Sequence, residues 1–295
     1  MKRIRSDLVI IQRTIRRISG VIPFTGVLFL FSCEDVMDVS FSGNSEKSLV
    51  VEGVITTDTM SHMVALSLTG DFFNKPEKEM VSGAEVTISD GDTTFLLHEV
   101  STGEYFTDST VHGEVGKTYT LDIRLSDSRQ YTASDELRRC ADIDSIGQSG
   151  NYNSYLDGYG YYVLFYAKEP QPLGDNYMYL VYIDNVLYSD TLSEIAFASD
   201  EFVNGKDVRD FQVYRIREAD IPDTGATVTL EMYSVTRNYY DFMSAMMLET
   251  VWKGSPWDGP PSNVNGNVSN GARGYFRASA VKRRSRHFKA LPRGN

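Results

Sequence analysis

Two cysteines and four histidines hold the nucleophilic and metal-ligating capacity of this chain, and their placement limits what they do. Cys33 follows the small residue Ser32 at the end of an apolar run, residues 21–31, and is followed at once by Glu34, Asp35 and Asp38. Cys140 follows Leu137-Arg138-Arg139, whose cations would lower a thiol pKa. With only two cysteines in the chain there is no Cys-based metal cluster, and Cys140 reads as a boundary or packing cysteine. His62, His98, His112 and His287 are not paired at metal-ligand spacing, and no His-Glu-x-x-His occurs. Gly147-Gln148-Ser149-Gly150 is not the Gly-x-Ser-x-Gly elbow, and no phosphate loop is present. The acids of "SDGDTT" (89–94) supply few of the six to eight oxygens, roughly, that calcium takes, so this stretch reads as a β-turn. The expectation is a chain that is not an enzyme, with no catalytic residue, metal site or cofactor.

Binding residues are easier to nominate. Tyr152, Tyr155, Tyr159, Tyr161, Tyr162 and Tyr166 fall within 15 residues, interleaved with Asp157, Gly158 and Gly160. Tyrosine with glycine and small polar residues is the vocabulary of adaptable binding surfaces. Tyr155, Tyr159 and Tyr161 are the candidates here. The competing reading has Tyr161 and Tyr162 opening a strand, one inward and one outward. A second candidate lies in "KGSPWDGPPSNVNGNVSNGARGYF" (253–276), a Pro-, Gly- and Asn-rich stretch expected as a long irregular loop of the kind that binds. Trp252 and Trp257 are its aromatic anchors, and Asn263 leads a series of amides that both donate and accept.

These residues need elements to position them. From residue 47 to 136 short runs alternate in polarity between turn residues, as in "GKTYTLDIRLSDSRQYTAS" (116–134), where Tyr119, Leu121, Ile123 and Leu125 point inward. Asp90-Gly91-Asp92 marks a hairpin. About seven strands in this span predict an antiparallel, immunoglobulin-like β-sandwich. A boundary falls near 136–145. Residues 140–281 read as a second, Tyr-rich β domain, also sandwich-like, with a turn at Asp184-Asn185 and a closing strand over 274–281. One element breaks the β pattern: Tyr239, Phe242, Met243, Met246, Met247 and Thr250 recur at helical spacing, predicting an amphipathic helix over 239–251 with this stripe as its core face. Residues 282–295 read as a disordered basic tail. The fold class is mostly β, with two sandwich-like domains and one helix in the second.

Composition sets further bounds. The first 32 residues hold six of the 29 basic residues and one of the 40 acids, so the remainder carries 23 basic against 39 acidic, a net charge of −16. Nucleic acid is excluded as a partner by that acidity.

Lys2, Arg3, Arg5, Arg13, Arg16 and Arg17 precede the apolar run, which is too short to span a bilayer but long enough for a signal core. Leu30-Phe31-Ser32-Cys33 resembles the lipobox of bacterial lipoproteins, with Phe31 a departure from the usual small or β-branched residue. The resemblance implies that residues 1–32 are a lipoprotein signal peptide and that Cys33 becomes the mature N-terminus and carries the lipid, palmitate included. Residues 33–46 form an acidic tether, in which Glu34 and Asp35 resemble a surface-export signal.

Three pieces also resemble a family of Bacteroidota lipoproteins known as domain of unknown function 4249. They are "SLVVEGVITT" (48–57), the ladder "VSGAEVTISDGD … GEYFTD … GKTYTLDIRLSDSRQYTA", and "PPSNVNGNVSNGARGYFRASAV" (260–281). Arg273 and Arg277 are bulkier than the family pattern suggests. The resemblance implies a lipid-anchored outer-membrane protein at the cell surface, partnered with a TonB-dependent nutrient receptor, and carries over no catalytic residue. The expectation is a binding or accessory component held to the membrane through Cys33. An adhesin-like structural module and, further off, a glycan or peptide hydrolase are the alternatives.

Overall fold

The computed structural model describes residues 47–70, 78–153, 158–250 and 264–290, all within one compact unit. The signal peptide, the tether, Cys33, Glu34 and Asp35 lie outside the described residues, as do Tyr155, Trp252, Trp257 and Asn263.

The expected ladder forms. β1 (Leu49–Thr56), β2 (Met63–Leu68), β3 (Glu85–Ser89), β4 (Thr94–Ser101), β5 (Glu104–Phe106), β6 (Thr118–Arg124) and β7 (Gln130–Glu136) lie in one eight-stranded sheet. β3 and β4 form the hairpin at Asp90-Gly91-Asp92, where Asp90 accepts the backbone N–H groups of Asp92 and Thr93 and the Lys117 ammonium. Burial alternates along β6, where Tyr119, Leu121 and Ile123 enter a core shared with Val51, Ile55, Leu66, Ile88 and Phe276.

The eighth strand is the first departure. β15 (Arg273–Ser279), expected in the second domain, pairs in parallel with β1, placing Gly274 opposite Val51 and Phe276 opposite Gly53. The reason is its pattern: Phe276, Ala278 and Ala280 are small or apolar at every second position and fill the first core. The strand order is β15-β1-β2-β5-β4-β3-β6-β7, so β15 and β7 are its two ends. Side chains close them. Asn267 donates to Ser134 O at 3.0 Å and Phe276 O at 2.8 Å while accepting the Phe276 N–H at 2.9 Å. Asp135 accepts the Ala278 N–H at 3.0 Å, and Asn270 donates to Gln130 O at 2.7 Å. The amides expected to serve a ligand in fact satisfy the open sheet edge, which would otherwise pair with another chain.

Beyond β7 the chain builds a second pair of sheets around a separate core. β8 (Ile143–Asn153), β9 (Gly158–Lys168) and β13 (Asp207–Arg217) form one, in the order β13-β9-β8. β10 (Asn176–Ile183), β11 (Val186–Leu187), β12 (Ala196–Ser199), β14 (Thr227–Val235) and β16 (Val281–His287) form the other. Asp184 and Asn185 adopt positive φ, 47° and 66°, in the turn between β10 and β11. Cys140 packs against both cores at their junction, donating to Met232 O at 3.5 Å. Burial pushes its thiol up to about 12, so it is inert rather than activated by Arg138 and Arg139.

The basic tail is the second departure. Through His287 it is strand β16, paired with β14. Its charges are spent locally: Arg283 pairs with Asp58 and Glu231, Lys282 with Asp142, and Arg284 and Arg286 donate to the carbonyls of Ile143 and Ile146. One α-helix is present among the described residues, α1 (Arg237–Thr250), matching the expected span to within two residues, besides two short 3₁₀ turns at Leu192–Glu194 and Glu218–Asp220. No helix among the described residues is long and apolar enough to cross a membrane.

Candidate functional site

α1 starts where Thr236 turns the chain out of β14. Its hydroxyl oxygen accepts the Tyr239 N–H at 3.4 Å, a helix cap, while its O–H donates to Asp135 at 2.8 Å. Asp135 thus holds the helix start and β15 together. It is 6% exposed, and burial pushes its carboxyl up to about 6 despite the bonds from Ala278 and Thr236. Tyr239 and Phe242 pack on Tyr275 with ring centroids 5.0 and 5.1 Å away. The Arg277 guanidinium lies 5.0 and 5.2 Å from the Tyr233 and Tyr239 ring centroids. A long cation suits this position because it stacks on those rings.

The expected apolar stripe is only partly a core face. Met243 alone on α1 is buried, and Leu248 is 53% exposed. The neighbouring stripe, Asn238, Asp241/Phe242, Ala245 and Leu248/Glu249, recurs at three- and four-residue spacing and forms one wall of a groove. Val264, Asn265, Gly266 and Asn267 form the other wall, with Tyr275 between. The groove encloses about 640 Å³, within the range of small-ligand and peptide-anchoring sites. Apolar surface from Phe242, Leu248, Val264 and Tyr275 meets amides and the carboxylates of Asp241 and Glu249. Asp241 also pairs with Arg237 at 2.9 Å. Such a lining can stack, exclude water and exchange hydrogen bonds. Among the described residues no Ser, Cys or His lines it.

Wall placement relates to the sequence candidates in two ways. Residues 251–263, which contain Trp252, Trp257 and Asn263, connect the end of α1 to Val264 and so join the two walls in sequence. The tyrosine candidates fare differently. Tyr159 and Tyr161, expected on a displayed surface, are 9% and 6% exposed and belong to the second core, Tyr161 edge-on to Phe288 at 5.0 Å. Composition suggested display, but β9 is the central strand of its sheet and is buried from Tyr159 to Phe165; Tyr161 points inward as the competing reading has it, and Tyr162, there expected outward, is buried as well. Tyr152 is 67% exposed. His62, whose pKa burial lowers, bonds Val111 O within the fold.

Sequence reasoning missed Asp135 and Arg277, which appear as ordinary members of alternating strands. It also missed three buried acids, Glu169, Asp175 and Asp200, that the fold brings together from positions far apart.

A family model described as Domain of unknown function (DUF4249) matches residues 34–285. No curated protein matches the chain. Among solved structures, murine CEACAM1b aligns at 12% identity over 62% of this chain and 91% of that one, with a TM-score of 0.20. A likeness that weak carries no argument about fold or function.

Proposed function

The chain belongs to the family described as Domain of unknown function (DUF4249), and on that premise we propose that it is a lipid-anchored outer-membrane protein, displayed at the cell surface, that serves as a binding component beside a TonB-dependent nutrient receptor. Cys33 carries the lipid, and Glu34 and Asp35 direct export. The family match begins at residue 34, directly after the proposed lipidated cysteine, in keeping with a mature chain that starts at Cys33. Acyl chains supply roughly 0.8 kcal/mol per buried CH₂, so a body with a net charge of −16 needs no basic surface to stay at a membrane.

The observation that carries the binding role is the groove between α1 and residues 264–267. Residues 251–263 join the two walls in sequence, and we assign contact with the receptor to this groove together with Trp252, Trp257 and Asn263. Glycine at 266 and 274 lets the two backbone segments approach too closely for any side chain, since a Cβ on Gly266 would meet the Gly274 carbonyl.

Anchoring is tested by metabolic labelling with palmitate. Wild-type protein takes up label, and Cys33→Ala gives unlabelled precursor. Equal labelling of both would remove the lipid anchor from the account.

A further inference from the structure

Glu169, Asp175 and Asp200 lie at the end of the second domain where the chain leaves β9, enters β10 and leaves β12. They are 4%, 2% and 4% exposed, and one carboxylate oxygen from each lies within 4.8 Å of the others. The backbone holds them there: Asp200 N–H donates to Asp175 O at 3.0 Å, and Glu169 N–H donates to Lys206 O at 3.0 Å. Each carboxylate has one internal donor. Tyr177 O–H donates to Glu169 at 2.7 Å, Gly174 N–H donates to Asp200 at 2.9 Å, and Arg139 donates to Oδ2 of Asp175 at 2.8–2.9 Å.

One cation does not balance three acids, and Arg139 is shared. Its Nη1 donates to the carbonyl of Gln171, and Nη2, besides facing Asp175, donates to that of Pro172. The second oxygen of Asp175, Oδ1, is buried with no hydrogen-bond partner. Buried polar atoms are almost always satisfied, and a buried carboxylate oxygen without a donor is the costliest exception. Asn204, in the turn that follows Asp200, has a second such oxygen, Oδ1. Oxygen-only donors, excess negative charge and an unpartnered buried oxygen all call for a hard cation. Oxygens up to 4.8 Å apart suit metal–oxygen bonds of about 2.4 Å, the calcium distance. A cleft of about 580 Å³, lined by Glu169, Gln171 and Gly205 with Asp142, Asp144 and Lys168, gives an entry path.

We propose that Glu169, Asp175 and Asp200 bind one divalent cation of the calcium class, with solvent completing its oxygen shell. The site ties the β9–β10 connection to the turn after β12, and so stabilises one end of the second domain rather than performing a reaction.

The test uses the full chain, purified in detergent and stripped with a chelator. Calorimetric titration with CaCl₂ should show one binding event, and calcium should raise the melting temperature reversibly. Asp200→Asn and Glu169→Gln should each weaken calcium binding at least tenfold. In calcium-free buffer both should melt no lower than wild type, because each removes one of three crowded charges; Asp92→Asn, an exposed acid elsewhere, should keep the calcium response. As a check independent of variant folding, terbium(III) bound to the wild-type site should show luminescence sensitised through Tyr177 and quenched by competing calcium. The proposal is overturned by wild-type protein that shows neither heat nor a melting shift up to about 10 mM calcium, above the weakest range of extracellular calcium modules. An undiminished calcium response in both folded variants, or no sensitised terbium emission, overturns it equally.

Discussion

Replacing Asn267 by alanine should open the seam between β7 and β15. The side chain makes three hydrogen bonds, two to the backbone of Phe276 and one to Ser134 O. A typical internal hydrogen bond contributes roughly 1 kcal/mol net, and a buried group left without a partner costs about 1–3 kcal/mol. The Ser134 bond is exposed, so water replaces it and its share is small. The Phe276 pair is half-buried and directly above a fully buried ring, so water replaces it less well. The loss should therefore be about 2–3 kcal/mol. For a chain of this size that corresponds to a fall in melting temperature of roughly 5–10 °C. Asn270→Ala, which removes one exposed bond to Gln130 O, is the matched control and should cost less than about 1 kcal/mol. Urea unfolding followed by far-ultraviolet circular dichroism reads both. An Asn267→Ala variant no less stable than Asn270→Ala would refute the side-chain closure of the sheet.

Gly274→Ala should be among the most damaging single changes, costing on the order of 3 kcal/mol or more. Its φ is +90°, and a Cβ would collide with the Val51 carbonyl across the β1–β15 ladder; soluble yield and a thermal melt report it, and a near-wild-type melt would contradict the parallel pairing. Asp135→Asn should alter the pH dependence of stability. The Asp135 pKa is raised in the folded state to about 6, from a usual value near 4, so the native chain binds the proton more tightly than the unfolded chain. Stability from this group is then present at low pH and lost as pH rises from about 4 through about 6, by at most about 3 kcal/mol. Unfolding free energies of wild type and Asp135→Asn, compared from pH 4.5 to 7.5 (about the window of the shift), should show wild type losing ground as pH rises; parallel curves would count against a buried, proton-loving carboxyl.

The β character, the hairpin at 90–92 and the helix were legible because each rests on local periodicity or turn chemistry. Tyr119, Leu121 and Ile123 alternate in and out of the core as their spacing demands. What was not legible depends on partners distant in sequence. The run from Arg283 to Arg286 looks like a solvated tail until Asp58, Glu231 and the carbonyls of Ile143 and Ile146 are placed around it. Tyr159 and Tyr161 look displayed because tyrosine among glycines and small polar residues is typical of binding surfaces, and composition does not reveal that β9 is buried over its centre. The acids at 169, 175 and 200 share no motif spacing; two loops bring them together. Asn267, in the series of amides that Asn263 leads, uses donor and acceptor together as that series was expected to, and spends them on the sheet edge.

The central claim is that the groove beside α1 engages a TonB-dependent receptor, and capture of that receptor tests it most directly. Ala245→Arg combined with Leu248→Glu changes the groove wall at two positions on its outer stripe, Leu248 being already 53% exposed, and leaves the Tyr239–Phe242–Tyr275 packing in place. Lipidated wild-type protein, purified by affinity from detergent-solubilised outer membrane, should bring the receptor with it. The double variant should lose tenfold or more of that capture, since removing one well-packed anchor costs about 2 kcal/mol, while its melting temperature stays within a few degrees of wild type. Equal capture by a folded double variant, or no receptor with wild-type protein, would contradict the account.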